Sequence, residues 1–472
     1  LYERYRVPLG LIKASEGGTP VEAWMSEEAL QPFPRKLKEK EKCKEREYLE
    51  KIIRQNEENE KDWYRELYKK DRGLARNKLP WYAPEYDCSD WDTMEIPVYF
   101  EDLGLKDFNG VIWLRREIEL PAPMASREAR LIMGRIIDSD TAYINGIRVG
   151  ETTYQYPPRK YDIPKGVLRE GKNQLVIRVV CNNGQGGIAV DKPYKITAGE
   201  QSLDLKGEWK YRVGAVYRPL PETIFVQRKP GGLFNGMIAP LLNYRIRGVI
   251  WYQGESNDSD PLEYEEMFIG MINDWREKWG QKAIPFLYVQ LPNHGIPAAF
   301  SPDSAWAVIR EAQRKALSVP ETAMAVTIDL GEWNDLHPLN KKDVGIRLAL
   351  AARNLVYGDK DLVYSGPLYR SIKVEGDKAA LSFDNTGAGL ISRGSKKPAG
   401  FFIAGTDKEF LEAEAEIRDK RVIVWNDRVQ KPLAVAYAWA DNPAAASLYN
   451  KEGLPASPFR TDNYRNPIDK SE

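Results

Sequence analysis

The chain has 472 residues, which at about 150 residues per domain allows roughly three domains with their own cores. Its 69 Lys and Arg cancel its 69 Asp and Glu, and no apolar run approaches the about 20 residues of a spanning helix, so nucleic acid and bilayer are poor partners. Cys43, Cys88 and Cys181 lie far apart without Cys-x-x-Cys spacing, which leaves no zinc cluster and no dense disulfide framework, and a histidine base is either His294 or His337.

In chain order, LYERYR reads as a helical fragment without a capping residue, and VPLGLIKAS directly after it reads as a strand. So abrupt a start predicts a chain that begins partway through a fold. SEGGTPVEAW follows, where Gly17 and Gly18 either bring a backbone N–H close to a substrate oxygen or form a simple turn. From Lys36 to Arg72 a charge run carries Tyr48, Leu49, Ile52, Ile53, Trp63 and Tyr64, the pattern of a solvated amphipathic helix pair rather than a lid. Between about Glu95 and Ala198 short apolar runs alternate with Gly, Asn and Pro turns, which predicts an all-β sandwich inserted into a loop.

From Arg245 onward the apolar period alternates between strand-like and helix-like. RGVIWYQ is followed by a helix through Tyr264, Met267, Phe268, Met271, Ile272 and Trp275, with Asp260 as cap, Pro261 as first helical residue and Glu263 closing a capping box. IPFLYVQ precedes a helix through Trp306, Ile309 and Leu317, and AMAVTIDL, ending near Leu330, precedes one through Val344, Leu348 and Leu355. Strand and helix in alternation predict parallel strands, and such sheets bind ligands beyond the carboxyl ends of their strands. From about Gly366 the runs SIKVEG, KAALSFD, AEIRDKRVIVW and LAVAYAW predict a further β unit.

Two loops after those strands can carry chemistry. In NDLHP, Asn334 to Pro338, His337 is placed to accept a serine proton, and Asp335 to orient the imidazole; the plainer reading is a capping aspartate and a loop histidine. In WYQGESND, Gly254 permits a tight turn, and Asn257 with neighbouring amides can point donors at an oxyanion; the plainer reading is a turn before a helix. Ser256 is an alternative nucleophile and Glu255 an alternative acid for His337. His294, in LPNHGIP, reads as a loop residue rather than a base.

Taken together, GLIKASEGGTPVEAW, RGVIWYQGESN, PFLYVQLPN, WAVIREAQ, NDLHPLNKKDVGIRLAL, VAYAWADNP and NKEGLPASPFRTD resemble the sialate O-acetylesterase-like branch of the SGNH hydrolases. The resemblance implies an α/β fold: a flavodoxin-like three-layer α/β/α hydrolase domain that removes acetyl groups from carbohydrate hydroxyls through a serine acyl-enzyme, without metal or cofactor. The segment with GVIWLRREIEL, DSDTAYINGIRVG and PPRKYDIP resembles the galactose-binding-like β sandwich of glycosidases. The organisation expected is therefore residues 1–94 as the first part of the hydrolase domain with its charged helices, 95–198 as the inserted sandwich, 199–362 as the main hydrolase part and 363–472 as a C-terminal β-rich domain. His337 matches the family's catalytic histidine, Asp335 its acid, Gly17 or Gly18 its glycine oxyanion donor and Asn257 its asparagine donor. The family's Gly-Gln-Ser-Asn nucleophile motif, expected before VPLGLIKAS, does not occur in these residues, so the reading places the serine upstream of Leu1 or on a separate N-terminal chain. The substrate implied is an acetylated carbohydrate, on sialic acid or plant polysaccharide, and the location implied is secreted or periplasmic. The alternative is a carbohydrate-binding protein on a hydrolase scaffold that has lost catalysis.

Overall fold

The computed structural model describes residues 1–74 and 78–462. It divides into two units, Leu1–Leu49 with Phe225–Glu472, and Glu50–Ile224. The last ten residues of the expected C-terminal β unit, 463–472, lie outside the described residues.

The first unit is built on three parallel strands, β1 (Val249–Trp251), β2 (Phe286–Val289) and β3 (Thr322–Ala325), in that order. Their register sets Ile250 opposite Leu287 and Leu287 opposite Ala323. Successive strand side chains point to opposite faces. Phe286, Tyr288 and Met324 pack with α1 (Tyr264–Lys278) and α2 (Ala305–Lys315), while Leu287, Val289, Ala323 and Ala325 pack with Val344, Leu348, Ala351 and Ala352 of α3 (Lys341–Leu355). A sheet covered on both faces needs apolar residues on both, which is why FLYV runs unbroken rather than alternating.

Helix starts follow local chemistry. Ser304 Oγ accepts the Ala307 N–H at 2.9 Å to cap α2, and Asn340 Oδ1 accepts that of Asp343 at 3.3 Å to cap α3. The predicted start of α1 is corrected: the helix begins at Tyr264 with Glu263 at the cap position and no side-chain cap bond, and Asp260 and Pro261 lie in the turn before it. Asp260 instead faces Arg35 at 3.7 Å.

Two strand expectations also fail, for different reasons. VPLGLIKAS forms no strand; residues 7–16 have no regular structure, and Leu11 is 89% exposed. An apolar run becomes a strand only where a neighbour completes its ladder of hydrogen bonds, and in this sheet β1 pairs with β2 alone. AMAVTIDL is apolar beyond the strand because Val326 and Ile328 are buried in the helix-facing core after the ladder has ended at Ala325. The chain then turns, with the Leu330 N–H donated to Thr327 O.

This unit also holds two four-stranded antiparallel sheets, 368–375, 378–384, 421–425, 414–418 and 410–412, 401–404, 434–437, 459–460, each given in spatial order, and a two-stranded one, 390–392 with 448–450. Leu381, Val422, Phe401 and Val435 share their core. Phe402 and Trp439 pack on Ala307 and Val308 of α2. Arg310, fully buried in α2, donates to the carbonyls of Leu291, Pro292, Ala440 and Asp441, tying the end of β2 to the C-terminal strands.

The second unit holds a six-stranded antiparallel sheet, 92–96, 207–216, 110–120, 171–181, 139–144, 147–152, and a four-stranded one, 201–204, 194–198, 129–133, 160–163. Ile112, Leu114, Ile177 and Val179 from the first share a core with Leu131, Met133, Tyr161 and Ile196 from the second. The opposite face of the larger sheet packs Val111, Trp113, Val176 and Val180 against Trp63, Leu67, Trp81 and Trp91. Trp63 and Leu67 lie on the second of the two expected charged helices, Pro34–Lys42 and Arg46–Lys70. Asp71 is buried there, and its charge is met by Arg178 at 2.8 Å and by the Trp113 indole N–H at 2.9 Å.

Candidate active site

Three segments of the first unit carry the residues singled out by sequence: the Gly17–Gly18 turn, the turn at 254–257 after β1, and the loop at 331–340 between β3 and α3. The first two are sewn together by side-chain amides. Asn257, 3% exposed, accepts the Val21 N–H on Oδ1 at 2.9 Å and donates from Nδ2 to Glu22 Oε2 at 3.0 Å. Gln253 donates to Thr19 O at 3.0 Å and to Asn257 Oδ1 at 2.7 Å. Glu22, itself buried, is paired with Lys36. An amide nitrogen carries two donors, and Glu22 takes one of them. Asn257 therefore fixes the turn as well as offering a hydrogen.

Gly254 is at φ +153, and a Cβ there would meet Leu291 and Ile309 side chains at 3.1 Å, so the turn closes tightly only with glycine. Glu255, Ser256 and Asn257 follow as one 3-10 turn in which Glu255 and Ser256 are half-buried. Burial pushes the Glu255 carboxyl above its ordinary pKa, opposed by the charge of Lys341. Gly17 and Gly18 are exposed, Gly18 in the left-handed region at φ +66.

His337 is exposed, and its backbone N–H donates to Asp335 Oδ1 at 3.0 Å; Asp335 is 5% exposed. The carboxylate therefore braces the backbone on either side of Leu336. His294 belongs to the scaffold of this loop: its Nδ1 lies 3.4 Å from Glu332 O, its ring lies 5.6 Å from that of Trp306, and the next residue, Gly295, donates its N–H to Trp333 O at 2.8 Å. Asn293 accepts the Gly331 N–H at 2.8 Å. The 293–295 segment thus grips the backbone of the loop that bears His337.

The residue that sequence reasoning missed is Lys341. It lies in the first turn of α3, where the helix dipole disfavours a cation, with Nζ over the Tyr252 ring at 4.9 Å. Desolvation lowers its pKa, while the charges of Glu255, Asp335 and Glu332 raise it. One ammonium therefore answers to carboxylates from both the 254–257 turn and the 331–340 loop. The signal available in sequence was its position four residues after His337. Among the described residues, no group of three His, Cys, Asp or Glu is placed to hold a metal ion, and no helix is long and apolar enough to cross a membrane.

Residues 227–354, which include the 254–257 turn and the 331–340 loop, match the family described as carbohydrate esterase, sialic acid-specific acetylesterase. The mouse sialate O-acetylesterase is 31% identical over 252 residues, 48% of this chain and 46% of that protein. The human sialate O-acetylesterase is 37% identical over 168 residues, 32% of each chain. This chain thus spans less than half the length of these curated relatives. A carbohydrate acetylesterase from Xanthomonas citri aligns over 73% of this chain and 99% of its own, at 28% identity and a TM-score of 0.48. Residues 227–354 thus match the sialic acid-specific acetylesterase family of carbohydrate esterases, and the chain is similar to curated sialate O-acetylesterases over about half of its length.

Proposed function

We propose that this chain is the hydrolase of a carbohydrate O-acetylesterase, cleaving acetyl esters on sialic acid or plant-polysaccharide hydroxyls through a serine acyl-enzyme. In this reading the three parallel strands and their flanking helices are an SGNH-type three-layer α/β/α domain, interrupted by a galactose-binding-like β sandwich, and the protein acts in a secreted or periplasmic setting. The observation that supports the reading is the match of residues 227–354 to the sialic acid-specific acetylesterase family, together with the hydrogen bonds by which Asn257 and Gln253 tie Val21 and Thr19, next to the glycine turn, to the 254–257 turn.

In the chemistry proposed, a serine hydroxyl oxygen attacks the acetyl carbonyl carbon and its proton passes to His337, oriented by Asp335. The negative oxygen of the tetrahedral intermediate is met by N–H donors from Gly18 or Gly17, the 254–257 turn and Asn257, each worth about 3 kcal/mol. His337 returns the proton to the departing sugar oxygen, then takes one from water; the hydroxide attacks the acetyl carbonyl, the bond to the serine oxygen breaks to free acetate, and His337 returns the proton to that serine oxygen. Ser256 is the alternative nucleophile and Glu255 the alternative acid. The test is acetate release from O-acetylated sialic acid and from acetylated xylan side by side. His337→Ala is expected to lose at least 1,000-fold in turnover with an unchanged melting temperature; turnover near that of the unsubstituted protein overturns the assignment. Labelling with a serine-directed phosphonate locates the nucleophile, and a labelled peptide containing Ser256 makes that residue the attacking group.

A further inference from the structure

Arg228 is a cation beside the glycine turn whose charge the site chemistry above does not use. Its Nη2 donates to Gly17 O at 3.0 Å, its Cζ lies 3.8 Å from the centre of the Phe225 ring, and its Nη1 and Nη2 lie 3.2 Å from where a Gly18 Cβ would be. Among the described residues no carboxylate pairs with it, and its buried Nε has no hydrogen-bond partner. A half-buried guanidinium is ordinarily neutralised or fully hydrogen-bonded, because desolvating its charge is costly. Here the charge is held against an aromatic face and pointed at one peptide group.

That peptide is the one between Gly17 and Gly18. In a trans peptide the C=O and N–H point in opposite directions. A donor fixed on Gly17 O therefore fixes the Gly18 N–H pointing away from Arg228, out to the exposed side of the turn, and polarises it through the amide. The close approach of the guanidinium and the left-handed φ of +66 both disfavour a side chain at position 18. We propose that Arg228 is a positioning residue: it locks and polarises the Gly17–Gly18 peptide so that the Gly18 N–H is held ready for a developing negative oxygen. This inference rests on the esterase reading for its catalytic consequence, but not for the locking of the peptide.

The test separates the two. In full-length protein with glycine-selective ¹⁵N labelling, the Gly18 amide is identified by its loss in Gly18→Ala. In Arg228→Ala it is expected to shift and broaden while the Gly254 amide stays in place. Arg228→Gln, which still offers a donor to Gly17 O, is expected to keep the Gly18 resonance near its original position, which guards against misreading a folding defect. With 4-nitrophenyl acetate, Arg228→Ala is expected to lose about tenfold in kcat with KM within twofold, and guanidinium ion added in solution is expected to restore part of it. An unchanged Gly18 amide in Arg228→Ala overturns the proposal, as does a loss confined to KM. If the unsubstituted protein hydrolyses no ester, the esterase reading fails, and the Gly18 resonance alone decides whether Arg228 holds the peptide.

Discussion

At the residue scale, Glu255 and Lys341 are each pushed toward the neutral form by desolvation and each pulled back by the other. A carboxyl whose folded pKa is raised gives stability that is present below its ordinary value of about 4.3 and lost as pH rises through the folded value. A lysine whose folded pKa is lowered acts in the other sense, with stability gained as pH rises toward about 10.4. Glu255→Gln should therefore flatten the decline in stability just above the ordinary carboxylate range, as read from denaturant midpoints across pH. It should also move the Lys341 titration to lower pH, because it removes the first-named charge holding that ammonium protonated; ¹³C-lysine NMR measures the midpoint, and a rise would contradict the pairing. His337 and Asp335 were legible as candidates from sequence because NDLHP joins an imidazole to an acid two residues before it. Lys341 was not, since a lysine in a helical first turn reads as an exposed charge until Tyr252 and Glu255 are brought near it from the segment after β1.

Among the elements, the loops matter more than the strands they follow. The 331–340 loop is held by the 293–295 segment through Asn293, His294 and Gly295, and both lie beyond the carboxyl ends of adjacent parallel strands. Asn293→Ala removes the acceptor of the Gly331 N–H and the donor to Asn442 Oδ1. With two hydrogen bonds lost, the expected cost is about 2 kcal/mol in stability by denaturant unfolding, and any esterase activity should fall because the loop bearing His337 loses its grip. Unchanged stability would show that the Gly331 backbone is satisfied by water instead. The helices were readable in advance because their apolar period is set by one buried face, as Met267, Met271 and Trp275 on α1 show. Their starts were less so. Asp260-Pro261 has the chemistry of a cap, yet α1 starts three residues after Pro261 because the chain turns there first.

On the scale of the whole molecule, Arg310 joins parts of the first unit that lie far apart in sequence. Four carbonyls, from residues 291, 292, 440 and 441, accept its hydrogens in a site closed to water, and burial depresses its pKa to about 9. Arg310→Ala leaves those carbonyls unmet and opens a cavity in α2, so an expected loss of about 4 kcal/mol places it among the most damaging single substitutions; a melting temperature lowered by less than a degree would refute that linkage. What sequence by itself determined was the alternation of parallel strand and helix, the amphipathic faces, the antiparallel stretches and the positions of the two candidate turns, because each depends on residues within a few positions of one another. Only the tertiary structure decided whether VPLGLIKAS is a strand, where β3 stops, and which groups surround Lys341 and Arg228. Those depend on partners brought from distant positions: a ladder needs a neighbouring strand, burial needs an opposing helix, and a cation's role is set by the groups that surround it in space.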